Sequence, residues 1–243
     1  MIDIHCHMLP CVDDGADSLD TALLMASMAA ENGTDTVIVT PHCNIPGGPE
    51  NYPTRAMLDR FLALRSAIDS AQIPLKVYAG AEVFCTDNIS ELIRAKKLLT
   101  LASSRYLLVE FAFNEDSVEI NSRLERIFAE GLIPVIAHPE RYNAVQRDRT
   151  LPERWFAAGY VMQINKDSVF GGLGQRAKRT AEFMLGRGLA HIAASDAHNT
   201  YARNPDLSRL REHISLNYSE EYADILLNEN PRRLIENRPM LRA

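Results

Sequence analysis

The sequence predicts an α/β fold: a single distorted (β/α)7 TIM-like barrel of parallel strands, one domain over residues 1–243. Three observations predict it. Short β-rich runs alternate with amphipathic helical patterns almost from end to end. Most runs are continuously apolar, as strands of a parallel sheet buried on both faces are. The length, 243 residues, is near the roughly 250 of such a barrel, and no linker, repeat or low-complexity tract marks a second domain.

The elements follow in order. The first run, residues 2–5, precedes a helical stripe of Leu19, Leu23, Ala26 and Ala30 that stops at Gly33. The second run, 36–40, leads into the Gly- and Pro-rich segment 45–53, the longest loop, which a barrel would place beside its site. After Pro53 and Thr54, a helix start signal, Leu58, Phe61, Leu62, Arg65 and Ile68 form the next stripe. The third and fourth runs are 75–79 and 106–111; Ile120, Leu124, Ile127 and Phe128 then give a helix ended by Gly131. Runs five and six are 133–137 and 160–164, and Ala177, Ala181, Met184 and Leu185 follow, stopped by Gly186 and Gly188. The seventh run is 190–194, and 207–235 reads as helix with no further strand. Right-handed crossovers between parallel strands close such an order into a barrel.

Composition narrows the function. Twenty-six basic residues against 32 acidic ones give a net charge of −6, which argues against nucleic acid as the partner. No apolar stretch is long enough to enter a membrane, and the opening MIDIHCH lacks the features of a secretion signal, so a cytoplasmic globule is expected. Cys6, Cys11, Cys43 and Cys85 form no C-x-x-C pair and read as reduced thiols; three of them adjoin candidate site residues, which raises sensitivity to oxidants as an expectation.

The chemistry is carried by His, Asp and Glu at the strand ends. His5 and His7 close the first run, His42 the second, and Glu82 follows the third. Glu110 sits late in the fourth, His138 follows the fifth, and Asp196 with His198 follows the seventh. Six of the seven runs thus deliver a metal-competent side chain at the C-terminal end, where barrel active sites are built. His-x-His on an extended segment sends both rings to one face. Imidazoles mixed with carboxylates suit Zn, Mn or Fe rather than a structural thiolate site. With Asp14, for which Asp13 is a rival, the set has nine members, more than one ion accepts. Each motif alone has an ordinary reading: Thr40-Pro41-His42 as a turn, Glu110 as half of an ion pair, Asp14-Gly15 as turn chemistry. Their recurrence at equivalent strand ends is what chance handles badly. His191, inside the seventh run, reads as a hydrogen-bonded core histidine, and His213 as a solvated helix residue.

These residues resemble the polymerase and histidinol phosphatase (PHP) superfamily, through Asp3-Ile-His5-Cys-His7, Thr40-Pro-His42, Glu82, His138-Pro-Glu-Arg141 and Ser195-Asp-Ala-His198. Within it, the segments Val12-Asp-Asp-Gly15, His138-Pro-Glu-Arg-Tyr142, Asp196-Ala-His-Asn199 with Arg203, and the ending 230–237 look like the bacterial capsular-polysaccharide manganese-dependent protein tyrosine phosphatases. Cys6 departs from the usual serine spacer. The resemblance implies two or three divalent ions, manganese foremost with Fe, Zn or Mg as alternatives. It implies His5, His7, Asp14, His42, Glu82, Glu110, His138, Asp196 and His198 as their ligands. Its substrate would be the phosphotyrosine tail of a bacterial tyrosine kinase of exopolysaccharide synthesis. Ions outweighing four carboxylates, with Arg141 and Arg203 added as catalytic residues, would select a dianion and stabilise its developing charge. Counting argues against a phosphocysteine mechanism: six residues after Cys6, Cys11, Cys43 and Cys85 stand Val12, Asp17, Pro49 and Glu91, none of them the arginine that Cys-x5-Arg requires. The competing readings are a small-molecule phosphatase, such as one for histidinol phosphate, and a non-catalytic regulatory module.

Overall fold

A computed structural model describes residues 1–242. All seven expected runs are strands, but two are each followed by a further short strand that was not expected. The second run, β2 (Thr36–Val39), is followed by β3 (His42–Cys43), and the third, β4 (Lys76–Ala79), by β5 (Glu82–Phe84). The others are β1 (Ile2–Cys6), β6 (Tyr106–Glu110), β7 (Ile133–Ala137), β8 (Val161–Asn165) and β9 (Ile192–Ala194). The nine strands make two parallel sheets, β1-β2-β4 and β3-β5-β6-β7-β8-β9. The hydrogen-bonded ladder is therefore not the continuous closed barrel expected. The interruption has a local cause. Pro41 has no N–H to give the ladder, and a Cβ on Gly80 would stand 3.0 Å from Ile38 and Leu101 side chains, so the chain bends where it passes between them.

The sheets meet again at the other side. Beyond the end of β9, a parallel bridge pairs Cys6 with Ala197, with the His7 N–H donating to Ala197 O and the Asp196 N–H to His5 O, both at 2.8 Å. One apolar cluster draws on both sheets, joining Ile4 and Ile38 to Leu108, Val135, Val161 and Ile192, with Leu234 from below. The helices cover the outer faces.

Those helices are α1 (Leu19–Glu31), α2 (Arg55–Ser70), α3 (Ile89–Arg94), α4 (Ser117–Ala129), α5 (Asn143–Arg147), α6 (Thr150–Ala158), α7 (Lys166–Val169) and α8 (Gln175–Gly186). After β9 come α9 (Ser208–Asn217), α10 (Glu220–Asp224), a π turn at Ile225–Glu229 and α11 (Asn230–Ile235), with no strand beyond β9 among the described residues. The stripe of α8 is buried as expected. Two others are rotated. In α1 the buried face is Ala22, Met25, Ala26 and Ala29, while Leu19 is 41 % exposed. In α2 it is Leu64 and Ile68, leaving Leu58, Leu62 and Arg65 exposed. Small alanines let α1 approach its three-stranded sheet closely, so the leucines turn outward. Ser18 and Thr54 cap these two helices through their hydroxyls, and Thr54 confirms the predicted start.

His191 is a core residue, as read from the sequence. It is buried, its Nδ1 accepts from the Met162 N–H at 3.2 Å, and its ring stacks on Phe156. Burial, with help from nearby Arg242, pushes its pKa down to about 4. The unfolded chain takes this proton near pH 6.5, whereas the folded one refuses it until about 4, so the stability involved is complete above 6.5 and lost as pH falls. In metal-stripped protein, moving from pH 7 to 5 should cost the wild type about 2 kcal/mol more than His191→Asn, whose amide oxygen can replace Nδ1 but takes no proton. Denaturant melts at the two pH values check this, and parallel losses would refute it.

Candidate metal centre

The nine expected side chains stand at one rim, at the carboxyl ends of the strands. His5 lies in β1 and His7 two residues on, one face serving both. His42 and Glu82 open β3 and β5 and are direct register partners, so they point the same way. Glu110 ends β6, opposite Phe84 and thus one step further along the face that carries Glu82. His138 and Asp196 follow β7 and β9 with φ of 35° and 51°, the left-handed region. Such backbone costs on the order of 1 kcal/mol or more in a non-glycine residue and persists only when neighbours hold it. Here the Asp196 N–H donates to His5 O, and the Tyr142 hydroxyl closes the turn onto Ala137 O at 2.8 Å. At Gly15 the approach is too close for any side chain: a Cβ would lie 2.1 Å from His7 O.

Ligand atoms gather in three overlapping groups: His5, His7, Glu82 and Asp196; His7, Asp14, His42 and His198; and His42, Glu82 and Glu110. In the first, the Nε2 atoms of His5 and His7 are 3.2 Å apart, with Asp196 Oδ1 at 3.4 and 3.5 Å and Glu82 oxygens at 3.3 Å. In the second, Asp14 Oδ1 is 3.4 Å from Nε2 of both His42 and His198. In the third, His42 Nδ1 stands 3.0 Å from Glu82 and 3.1 Å from Glu110. His138 joins through Nε2, 2.9 Å from Glu82 Oε1 and 3.9 Å from Glu110. The structure also separates the two rival aspartates. Asp13 spends its carboxylate on the His7 Nδ1–H at 2.8 Å, the His42 N–H and the Gly15 N–H. Asp14 faces the cluster at its open rim, its side chain 66 % exposed.

The electrostatics are those of an acid cluster short of positive charge. Glu82 and Asp196 are almost fully buried, yet despite that burial the histidines, His5 first, hold both well below the usual carboxylate range. The histidines answer in kind. Burial opposes charge on His7, but Asp13, Asp196 and Glu82 outweigh it and raise its pKa well above the ordinary value. His42 is lifted to about 10, Glu110 and Glu82 overcoming its burial. His198, stacked 3.9 Å from His7, is instead pushed down, by burial and by charge on His7.

His138 Nδ1 is buried without a hydrogen-bond partner, and His42 Nδ1, Glu82 Oε2 and His198 Nε2 face oppositely charged groups at 3.0–3.4 Å without hydrogen-bond alignment. Paired nitrogens near 3 Å, shared carboxylates and lone pairs outside any aligned hydrogen bond fit divalent cations, whose ligands sit about 2.1 Å from the ion. Arg203 donates to Asp196 Oδ2 at 2.7 Å, and Arg141 Nη1 lies 3.7 Å from the same oxygen. Both arginines line the cleft, a cavity of 460 Å³. Loop 45–53 flanks it as expected: Ile45 and Pro49 line its wall, and the Asn51 amide donates to His42 O at 2.8 Å.

Sequence reasoning missed the residues behind this layer. On β8, the run without a ligand, Gln163 Oε1 accepts from the His5 Nδ1–H at 3.0 Å and Asn165 donates to Asp196 Oδ2 at 2.6 Å. A polar pair two apart at the end of an apolar strand was the available signal. All four cysteines are free, as expected, but the expected sensitivity to oxidants is not favoured. Cys6, Cys43 and Cys85 are buried, and burial raises their thiols, Cys43 and Cys85 to about 12, so they are poor targets for oxidants.

Comparison with known proteins agrees with this geometry. Residues 1–236 match the family described as capsular polysaccharide synthesis, CpsB/CapC. The chain is 32% identical over 240 residues to the tyrosine-protein phosphatase CpsB of Streptococcus pneumoniae, covering 97% of this chain and 98% of that one. It is 32% identical over 242 residues to the tyrosine-protein phosphatase YwqE of Bacillus subtilis (strain 168), covering 100% and 94%. Against a solved structure from work on YwqE and CpsB as metal-dependent tyrosine phosphatases, the TM-score is 0.92 at 31% identity, over 100% of this chain and 97% of that one. A lactonase from Listeria monocytogenes, 11% identical with a TM-score of 0.62 over 96% and 94% of the two chains, shares the fold alone. With the match running over nearly the whole chain, this protein belongs to the CpsB/CapC family of capsular polysaccharide synthesis.

Proposed function

We propose that the chain is a metal-dependent tyrosine phosphatase. The observation that carries this is the convergence of nine imidazoles and carboxylates, several with buried atoms outside any aligned hydrogen bond, in a cleft flanked by two arginines. His5, His7, Asp14, His42, Glu82, Glu110, His138, Asp196 and His198 would hold two or three divalent ions, manganese foremost. Bound there, such ions supply a water that ionises near neutral pH and positive charge against the phosphoryl oxygens.

The chain's own residues do the rest. Gln163 and Asp13 accept from Nδ1 of His5 and His7, which leaves each Nε2 lone pair aimed into the cluster. Arg141 and Arg203 present planar N–H donors beside Asp196, where they orient the phosphoryl group and offset its growing charge. The rim is open at Asp14, which supports a protein tail rather than an enclosed metabolite. The substrate we assign is accordingly the phosphotyrosine tail of a tyrosine kinase of exopolysaccharide synthesis, met in the cytoplasm. No helix among the described residues is long and apolar enough to cross a membrane. The two sheets we read as one distorted seven-run barrel and one domain, a reading supported by the shared interior cluster and the Cys6–Ala197 bridge.

Metal analysis paired with phosphotyrosine hydrolysis tests the proposal. His138→Ala and Asp196→Ala should each lower metal content and cut turnover at least about 100-fold; unchanged metal stoichiometry would remove them as ligands. Arg141→Ala should keep its metal yet lose about 100-fold in kcat/KM, and a full-rate variant would exclude it. Metal uptake should also expel protons. With a pKa of about 10, His42 is protonated at pH 7, and a ligating imidazole cannot be. Calorimetric titration with Mn2+ in buffers of different ionisation enthalpy should give a net release of about one proton or more per chain, and affinity rising with pH. Zero release would contradict the assignment of His42.

A further inference from the structure

We propose that Phe113 makes this site prefer aryl over alkyl phosphomonoesters, its ring serving as the surface against which the substrate's phenol ring lies. The proposal rests on the phosphatase reading above. Phe113 follows Glu110 by three residues, and its carbonyl accepts from the Asn143 N–H at 2.8 Å, which ties its loop to the segment just after Arg141. The ring lies 4.2 Å from the Arg141 guanidinium, and 6.1 Å from the His138 ring with an edgewise tilt. With those neighbours it is still 43 % exposed, and it lines the same cleft as the acid cluster. Ile45, Pro49 and Phe84 add apolar wall to that cleft.

The geometry divides the labour. The guanidinium carbon of Arg141 lies over the Phe113 ring, and since a guanidinium donates in its own plane, N–H groups that do not point at the ring stay free for phosphoryl oxygens. A phosphomonoester held by that edge, next to Asp196, carries its ester substituent along the uncovered part of Phe113. A phenyl group there meets a second aromatic ring and leaves water, while the short polar chain of an alkyl ester offers no flat face. A contact of this size changes selectivity by about tenfold.

The manganese-loaded wild type, Phe113→Ala and Phe113→Tyr are compared on phosphotyrosine and phosphoserine. The ratio of kcat/KM for the two esters should fall about tenfold in Phe113→Ala, chiefly through KM for phosphotyrosine, and return to within about twofold of wild type in Phe113→Tyr, which keeps the ring. In calorimetry, the preference for phenylphosphonate over methylphosphonate should fall by a similar factor in Phe113→Ala. An unchanged ratio overturns the proposal. So does an equal loss on both esters, which would make Phe113 only a support for Arg141. A wild type that hydrolyses neither ester yet binds phenylphosphonate better, through Phe113, would instead sink the phosphatase reading and leave the ring's preference intact.

Discussion

Two buried carboxylates govern this molecule. Glu82 and Asp196 are almost wholly buried at the floor of the cleft, and each negative charge there needs positive charge within contact distance. Four imidazoles stand around Glu82 and three around Asp196, and Arg203 reaches Asp196 from the rim. The arrangement is a poor way to stabilise a fold, since replacing buried charge by apolar side chains is often neutral or better. It is a good way to hold cations. The parallel strands supply the convergence, because their runs point the same way and six of the seven bring one or two of these side chains to one rim.

Much of this is visible in the sequence because it depends on periodicities that sequence carries directly. His5 and His7 share a face because side chains repeat every two residues, and His138 and Asp196 fall just past strands that read as apolar runs. The breaks at Pro41 and Gly80 were less legible. Each residue reads equally well as the turn that ends a strand, and nothing in the run reveals that one or two residues later the chain pairs again in a different sheet. His42 and Glu82 therefore begin strands rather than terminate them.

The rotated faces of α1 and α2 have a related cause. A hydrophobic stripe reports which side of a helix is most apolar, whereas burial follows how near the helix can come to its sheet. Alanine wins on the second criterion and leucine on the first, and in α1 the two criteria select different faces. The supporting residues were harder still. Gln163 and Asn165 are neutral amides, and only the fold shows that they meet His5 and Asp196, far away along the chain. Asp13 and Asp14 are adjacent acids of the same type; which one faces inward is decided by a turn packed so closely that Gly15 touches the backbone of His7.

The span of the rim along the chain bears on how the protein is made. Its first imidazole is at residue 5 and its last at residue 198, and the Cys6–Ala197 bridge brings those stretches side by side. A ribosome building this polypeptide releases the opening histidines long before their partners exist. His42, Glu82 and Glu110 are all present once residue 110 has been made, whereas the two groups that use His5, His7 and Asp14 are completed only by Asp196 and His198.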